Sequence, residues 1–226
     1  KTLKHSTQMG KSVNSFEGKI AKLFSKKYGL MVNSGSSALI LAFKVLNFPK
    51  DSEVITPCLN FGTAVSSIIL SQATPIFVDI EPDYFTIDPN LFEVAITSKT
   101  KAIIPVHIYG QPCDMDIILE IARNNDLKVI EDCAHAIETE YKGQKAGTFG
   151  DFGCFSFYVT KNIVTGEIII TDDKGIMVKL SENVNGFIKK SNLSNFLSLM
   201  VSLLWVDYYL NPNNLNSSGF LSQVVS

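Results

Sequence analysis

The stretch Leu30-Met31-Val32-Asn33-Ser34-Gly35-Ser36-Ser37-Ala38-Leu39-Ile40-Leu41-Ala42-Phe43 decides the fold. A short apolar run reads as a buried strand, small polar residues turn the chain, and a second apolar run opens a helix. Working outward, Val13, Phe16, Ile20, Leu23 and Phe24 fall at helical spacing within residues 12–27. Pro49 and Asp51 mark the end of the helix that Ala38 opens. Residues 53–56 then suit a strand closed by Pro57, residues 62–72 a helix, and residues 75–79 another strand.

The alternation continues downstream. Asp88-Pro89 supplies an N-cap residue followed by proline in the first helical turn. Strands are expected at 101–106, 127–131, 150–157 and 167–171, with a helix at 116–124. Short β-branched runs separated by helices require parallel strands joined by crossover helices. The fold class is therefore α/β, a three-layer sandwich around a mostly parallel sheet. Function in such folds sits at the carboxyl ends of the strands.

The 226 residues are 46% hydrophobic and 19% charged, too apolar for a disordered chain. A formal charge of −2 with no block of like charges excludes nucleic acid or an anionic membrane surface as the principal partner. Lys19, Lys22, Lys26 and Lys27 gather at helical spacing and read as a solvated face. The four cysteines, Cys58, Cys113, Cys133 and Cys154, lack the spacing of a zinc site and read as reduced thiols of a cytoplasmic protein. No apolar leader follows the N-terminal Lys-Thr-Leu-Lys-His-Ser, and the missing initiator Met suggests a fragment. The apolar stretch 195–210 falls short of the ~20 residues of a membrane span and reads as a buried or partner-covered helix.

Four elements carry chemistry. The Ser-rich turn 33–38 stands at a helix start, where free N–H groups and the helix dipole suit a phosphate, with Ser36 and Ser37 hydroxyls as further donors. A Ser-rich N-cap alone needs no ligand. In Val129-Ile130-Glu131-Asp132-Cys133-Ala134-His135-Ala136, two carboxylates end an apolar strand, which is costly unless something meets them. Asp132 could face a protonated ring nitrogen or merely cap the next segment; His135 could reach the same pocket or be structural. In Gly153-Cys154-Phe155-Ser156-Phe157-Tyr158-Val159-Thr160-Lys161-Asn162, Ser156 lies on a strand and Lys161 follows it. A desolvated lysine is a usable amine nucleophile, although an exposed loop lysine is commoner. Phe61, past the strand ending at Pro57, could cover a flat ring, although by itself it reads as core. A phosphate cradle, an acid for a pyridine nitrogen, an aromatic lid and an amine are together what pyridoxal 5'-phosphate requires.

The chain resembles the DegT/DnrJ/EryC1/StrS aminotransferases, pyridoxal-phosphate enzymes of fold type I acting on nucleotide-linked keto sugars. The likeness spans about residues 9–173, through Val32-Asn33-Ser34-Gly35-Ser36-Ser37-Ala38, Glu53-Val54-Ile55-Thr56-Pro57, Pro75-Ile76-Phe77-Val78-Asp79, Ala102-Ile103-Ile104-Pro105-Val106-His107-Ile108-Tyr109-Gly110-Gln111-Pro112 and Ser156-Phe157-Tyr158-Val159-Thr160-Lys161. The resemblance implies Lys161 as Schiff-base lysine and proton shuttle, and Asp132 as partner of the pyridine nitrogen. It implies Ser36, Ser37 and Ser156 at the phosphate, Phe61 stacked on the ring and His135 beside the cofactor. It further implies L-glutamate as amino donor, a nucleotide-sugar acceptor, a role in cell-surface polysaccharide or related sugar biosynthesis, and a homodimer. Relatives that act as dehydrases carry His in place of the lysine, and Lys161 argues against that branch.

Two departures stand out. Where the family reads Gly-Glu-Gly-Gly ahead of the next strand, this chain reads Gly166-Glu167-Ile168-Ile169, as if a glycine pair were lost, so the strand is expected to be repacked or shifted in register. Residues 1–185 are expected to form the cofactor-binding large domain, shortened at its N-terminal edge. Residues 186–226 are expected to be an apolar helical segment, without the family's C-terminal small domain. The competing expectation is a truncated, inactive homologue that keeps cofactor binding or serves as an interaction module.

Overall fold

The computed structural model describes residues 11–157 and 167–190. Their strands are β1 (Tyr28–Val32), β2 (Glu53–Pro57), β3 (Thr74–Val78), β4 (Thr100–Ile103), β5 (Lys128–Asp132), β6 (Glu140–Tyr141), β7 (Gln144–Lys145), β8 (Phe152–Ser156) and β9 (Glu167–Thr171). The helices are α1 (Lys11–Leu23), α2 (Gly35–Leu46), α3 (Gly62–Leu70), α4 (Pro89–Val94), α5 (Met115–Asn124) and α6 (Lys174–Lys190). One compact unit covers Lys1–Asn183 and a second Val184–Ser226; of the second, only the end of α6 is described.

Seven strands form one sheet in the order β1-β9-β8-β5-β4-β2-β3, in which β9 runs antiparallel to both neighbours. The α/β expectation and its mostly parallel sheet are met. Strand β4 stops at Ile103 rather than 106, because Pro105 has no N–H to give the ladder. Val106 instead bridges to Asp132. Strand β9 forms unbroken ladders: all five residues pair with β1, and Glu167 to Ile170 pair with β8.

Helices cover both faces. On one, Phe92 of α4 and Met115 and Ile118 of α5 pack on Ile55, Ile103 and Val129. On that same face, Ile20 and Phe24 of α1 meet Phe155, Phe157, Ile168 and Ile170, each such side chain contributing about 2 kcal/mol on burial. Helix α2 packs on β8 and β9 from the other face, beside α3. Lys26 corrects the solvated-face expectation: its side chain is 7% exposed, paired with Asp172 at 3.2 Å. Among the described residues, no helix is long and apolar enough to cross a membrane. The apolar stretch 195–210 lies outside the described residues.

Candidate active site

The carboxyl edge of the sheet gathers the polar residues. Side chains alternate between faces along a strand. Across β5, β8 and β9 the register sets Asp132 opposite Cys154 and Ser156 opposite Glu167, so Asp132, Ser156 and Glu167 share the face that α2 covers. Glu131 takes the opposite face. The two consecutive carboxylates are therefore met separately.

Glu131 is fully buried and accepts four hydrogen bonds: from the N–H groups of Gly147 (2.6 Å), Phe149 (2.8 Å) and Gly150 (2.6 Å), and from His107 Nε2 (3.1 Å). His107 Nδ1 accepts from the N–H of Cys113 at 3.1 Å. Burial opposes a charge on this imidazole while Cys133 and Glu131 favour one. The N–H aimed at Nδ1 decides for the neutral ring with its proton on Nε2. Beside it, burial pushes the Cys133 thiol up to about 12, so it stays protonated. His107, Glu131 and Cys133 lie close enough to share a metal ion, but the imidazole and the carboxylate are already committed to these bonds. Sequence reading singled out neither His107 nor the 147–150 loop.

Asp132 closes β5, is 6% exposed, and its Oδ1 accepts from Ala134 N–H at 3.0 Å. At α2, Ser34 is the N-cap: its Oγ accepts from Ser37 N–H at 3.1 Å and lies 2.9 Å from Ser37 Oγ. The hydroxyl of Ser37 is thus engaged within the cap. The N–H groups of Gly35 and Ser36 precede the first intrahelical bond, which Ala38 N–H makes to Ser34 O. Those two donors face the sheet edge with the positive end of the helix dipole behind them.

Ser156 donates its hydroxyl proton to Glu167 Oε1 at 2.8 Å. The other oxygen, Oε2, would lie 3.4 Å from a Cβ built on Gly35, and Ser156 Cβ would lie 3.7 Å from it. A carboxylate thus stands beside the start of α2, held there by the cross-strand pairing of Glu167 with Ser156.

Phe61 is 73% exposed at the start of α3, which sets aside the core alternative and not the stacking role that the resemblance implies. His135 is exposed; its ring stacks on Tyr109 with centroids 5.7 Å apart and planes 5° off parallel, and its Nδ1 accepts from Tyr109 N–H at 3.4 Å. Tyr109 holds this position with a left-handed backbone, φ 51°. Lys161 lies outside the described residues. An open cleft of about 530 Å³, lined by Lys26, Arg123, Phe149 and Asp172 among others, lies at the opposite end of the sheet.

Strand order, the antiparallel β9 and the helices on both faces define an α/β protein whose polar residues gather at the carboxyl edge of the sheet. The chain belongs to the DegT/DnrJ/EryC1/StrS aminotransferase family, whose model matches residues 2–198. Over 173 residues it is 44% identical to the spore coat polysaccharide biosynthesis protein SpsC of Bacillus subtilis, covering 76% of this chain and 44% of that one. Over 167 residues it is 44% identical to GDP-perosamine synthase of Escherichia coli O157:H7, covering 73% and 46%. Among solved structures, S. venezuelae DesV in complex with a ketimine intermediate matches with a TM-score of 0.75 at 34% identity, over 79% of this chain and 50% of that one. The chain spans about half the length of the curated relatives it matches.

Proposed function

We propose that this chain carries the cofactor-binding half of a pyridoxal-phosphate-dependent aminotransferase that converts a nucleotide-linked keto sugar to an amino sugar. The amino donor is an amino acid, L-glutamate in the first instance, and the product serves cell-surface polysaccharide or related sugar biosynthesis. The active form is a cytoplasmic homodimer. The observation that carries this reading is the convergence of Asp132, Ser156 and the start of α2 on one face of the carboxyl edge. Membership of the aminotransferase family supports it.

Bound pyridoxal phosphate supplies a ring that accepts the electron pair released at an amino-acid α-carbon. The ring end fits the residues present: Asp132, buried at the end of β5, would hold a proton on the pyridine nitrogen. At the phosphate end, the N–H groups of Gly35 and Ser36 and the Ser36 hydroxyl would bind, and the hydroxyls of Ser37 and Ser156 would join them by giving up their bonds to Ser34 and Glu167. Glu167 stands among these donors. Phe61 would stack on the ring and His135 would stand beside the cofactor, the roles the family resemblance implies. Lys161 would hold the cofactor through its amine and act as the base that moves the α-proton.

The test is to add pyridoxal phosphate, reduce with borohydride and map the modified peptide. Modification of Lys161, with 2-oxoglutarate formed from L-glutamate, is expected. Both are lost in Lys161→Ala. A Lys161→Ala variant with unchanged visible absorbance and turnover would overturn the assignment.

A further inference from the structure

We infer that Asn60 is a positioning residue, whose side-chain amide locks the turn between β2 and α3 and so sets the ring of Phe61 at the carboxyl edge. The inference rests on the cofactor reading above, in which Phe61 would stack on the ring, and adds a residue to it. Strand β2 ends at Pro57, and Cys58 N–H still bonds to Val78 O at 2.8 Å. The chain then turns through residues 58–60 before Gly62 opens α3. Asn60 Nδ2 donates to Pro57 O at 2.5 Å and to Thr56 Oγ1 at 3.2 Å. A carbonyl only accepts, so the amide nitrogen and not its oxygen faces Pro57, and both amide protons go to the end of β2. Thr56 is fully buried on a strand paired on both sides, so the anchor is rigid.

Stability does not explain the aromatic that follows. Phe61 is the N-cap of α3, with extended backbone (φ −84°, ψ 133°), and its side chain makes no cap hydrogen bond. Such a position favours Ser, Thr, Asp or Asn, whose oxygen meets the first free N–H groups of the helix. The residue suited to that task, Asn60, stands one place earlier and sends its amide back to β2 instead. At 73% exposure the Phe61 ring also gains little from burial. An uncapped helix start and an exposed aromatic thus coincide at one residue. Phe61 O accepts from Ala64 N–H at 3.0 Å, so α3 holds the backbone on the far side while Asn60 holds it on the near side. The direction in which the ring leaves the chain is fixed before any ligand arrives, which lowers the ordering cost of stacking.

The test is a double-mutant cycle on the 226-residue chain. Affinity for pyridoxal phosphate is measured by equilibrium dialysis for the parent, Asn60→Ala, Phe61→Ala and the double variant. Asn60→Ala is expected to weaken binding by about fivefold, the size of one aromatic stacking contact. Where Phe61 is already alanine, the same change should weaken it by less than about twofold. An asparagine that only supports the fold would cost the same in both backgrounds. That result, or no loss in either, would overturn the inference and leave the cofactor reading standing. A second readout needs no ligand. The chain's one tryptophan is removed by Trp205→Phe, and Phe61→Trp then reports the motion of the ring through its fluorescence anisotropy. Adding Asn60→Ala should lower that anisotropy. If the parent takes no pyridoxal phosphate and the anisotropy still falls, the hold of Asn60 on residue 61 stands and the cofactor reading falls. If the anisotropy is unchanged as well, both fall. Asn60→Asp, of the same shape without the two donors, serves as second variant should the alanine protein not fold.

Discussion

Glu131 and Glu167 are both buried glutamates at the carboxyl edge, and they differ in who meets them. Glu131 is held by three backbone N–H groups of one loop and by His107. The donors and the carboxylate belong to one closed knot, with nothing left to bind. Glu167 is met by Ser156 from the neighbouring strand and stands against Gly35 at the start of a helix. Its surroundings still hold backbone donors that another anion could use. A buried carboxylate saturated by a rigid loop is part of the scaffold, whereas one set between a strand hydroxyl and a helix start lies beside the residues proposed to hold the cofactor.

Removing the first should unfold the protein; removing the second should not. Glu131→Ala leaves three N–H groups and an imidazole without an acceptor, and a loss of about 3–5 kcal/mol is expected from urea unfolding, the cost of breaking a buried charged network. A midpoint within error of the parent would show that Glu131 is no keystone. Gly150→Ala attacks the same knot from its backbone, since a Cβ would stand 2.6 Å from Val129 O. Loop 147–150 must then move off Glu131, and a loss of about 2–3 kcal/mol in the same measurement is expected. By contrast, Glu167→Gln should change the unfolding free energy by less than about 1 kcal/mol, since glutamine keeps the shape and can still accept from Ser156. A large loss there would make Glu167 a structural residue like Glu131.

Part of this was legible in sequence. Alternation of apolar runs and caps located the strands and helices, and Asp88 does cap α4, accepting from Asn90 N–H at 2.8 Å. That two carboxylates ending an apolar strand must be met by something was also legible, and each has its own partners. What could not be read is which residues meet Glu131, because its loop donors lie 16 to 19 residues downstream and converge only after β8 has paired with β5. Phe61 by itself reads as core yet is 73% exposed, because apolarity says nothing about which side of a helix start faces the sheet. Lys26 was misread because its partner, Asp172, lies beyond the last core strand in sequence and meets it only once β9 lies beside β1. Glu167 was visible only as an irregularity of spacing. Its consequence needed the cross-strand register that sets it opposite Ser156.

A third carboxylate, Asp79, gives the mildest version of the contrast, because it is met at the surface. It accepts from Ile80 N–H at 2.8 Å and from Cys58 Sγ at 3.3 Å. The backbone bond from Ile80, and then the thiol, hold its carboxyl below the usual range. The same contact works in reverse on Cys58, whose thiol is raised first by partial burial and then by the Asp79 hydrogen bond and charge. Of the four cysteines, Cys58 is exposed while Cys113, Cys133 and Cys154 are buried, so the folded protein should show one thiol open to iodoacetamide. The thiolate is the reacting form, so a raised pKa slows alkylation near neutral pH. Asp79→Asn removes the neighbouring negative charge, lowers the Cys58 pKa toward its ordinary value, and should speed that thiol by about two- to threefold. Cys133, held protonated by burial next to Glu131, should stay unreactive in both proteins until they unfold. Rapid labelling of Cys133 in the folded chain would mean that the knot around Glu131 opens, and with it the contrast between a closed anion site and an accessible one.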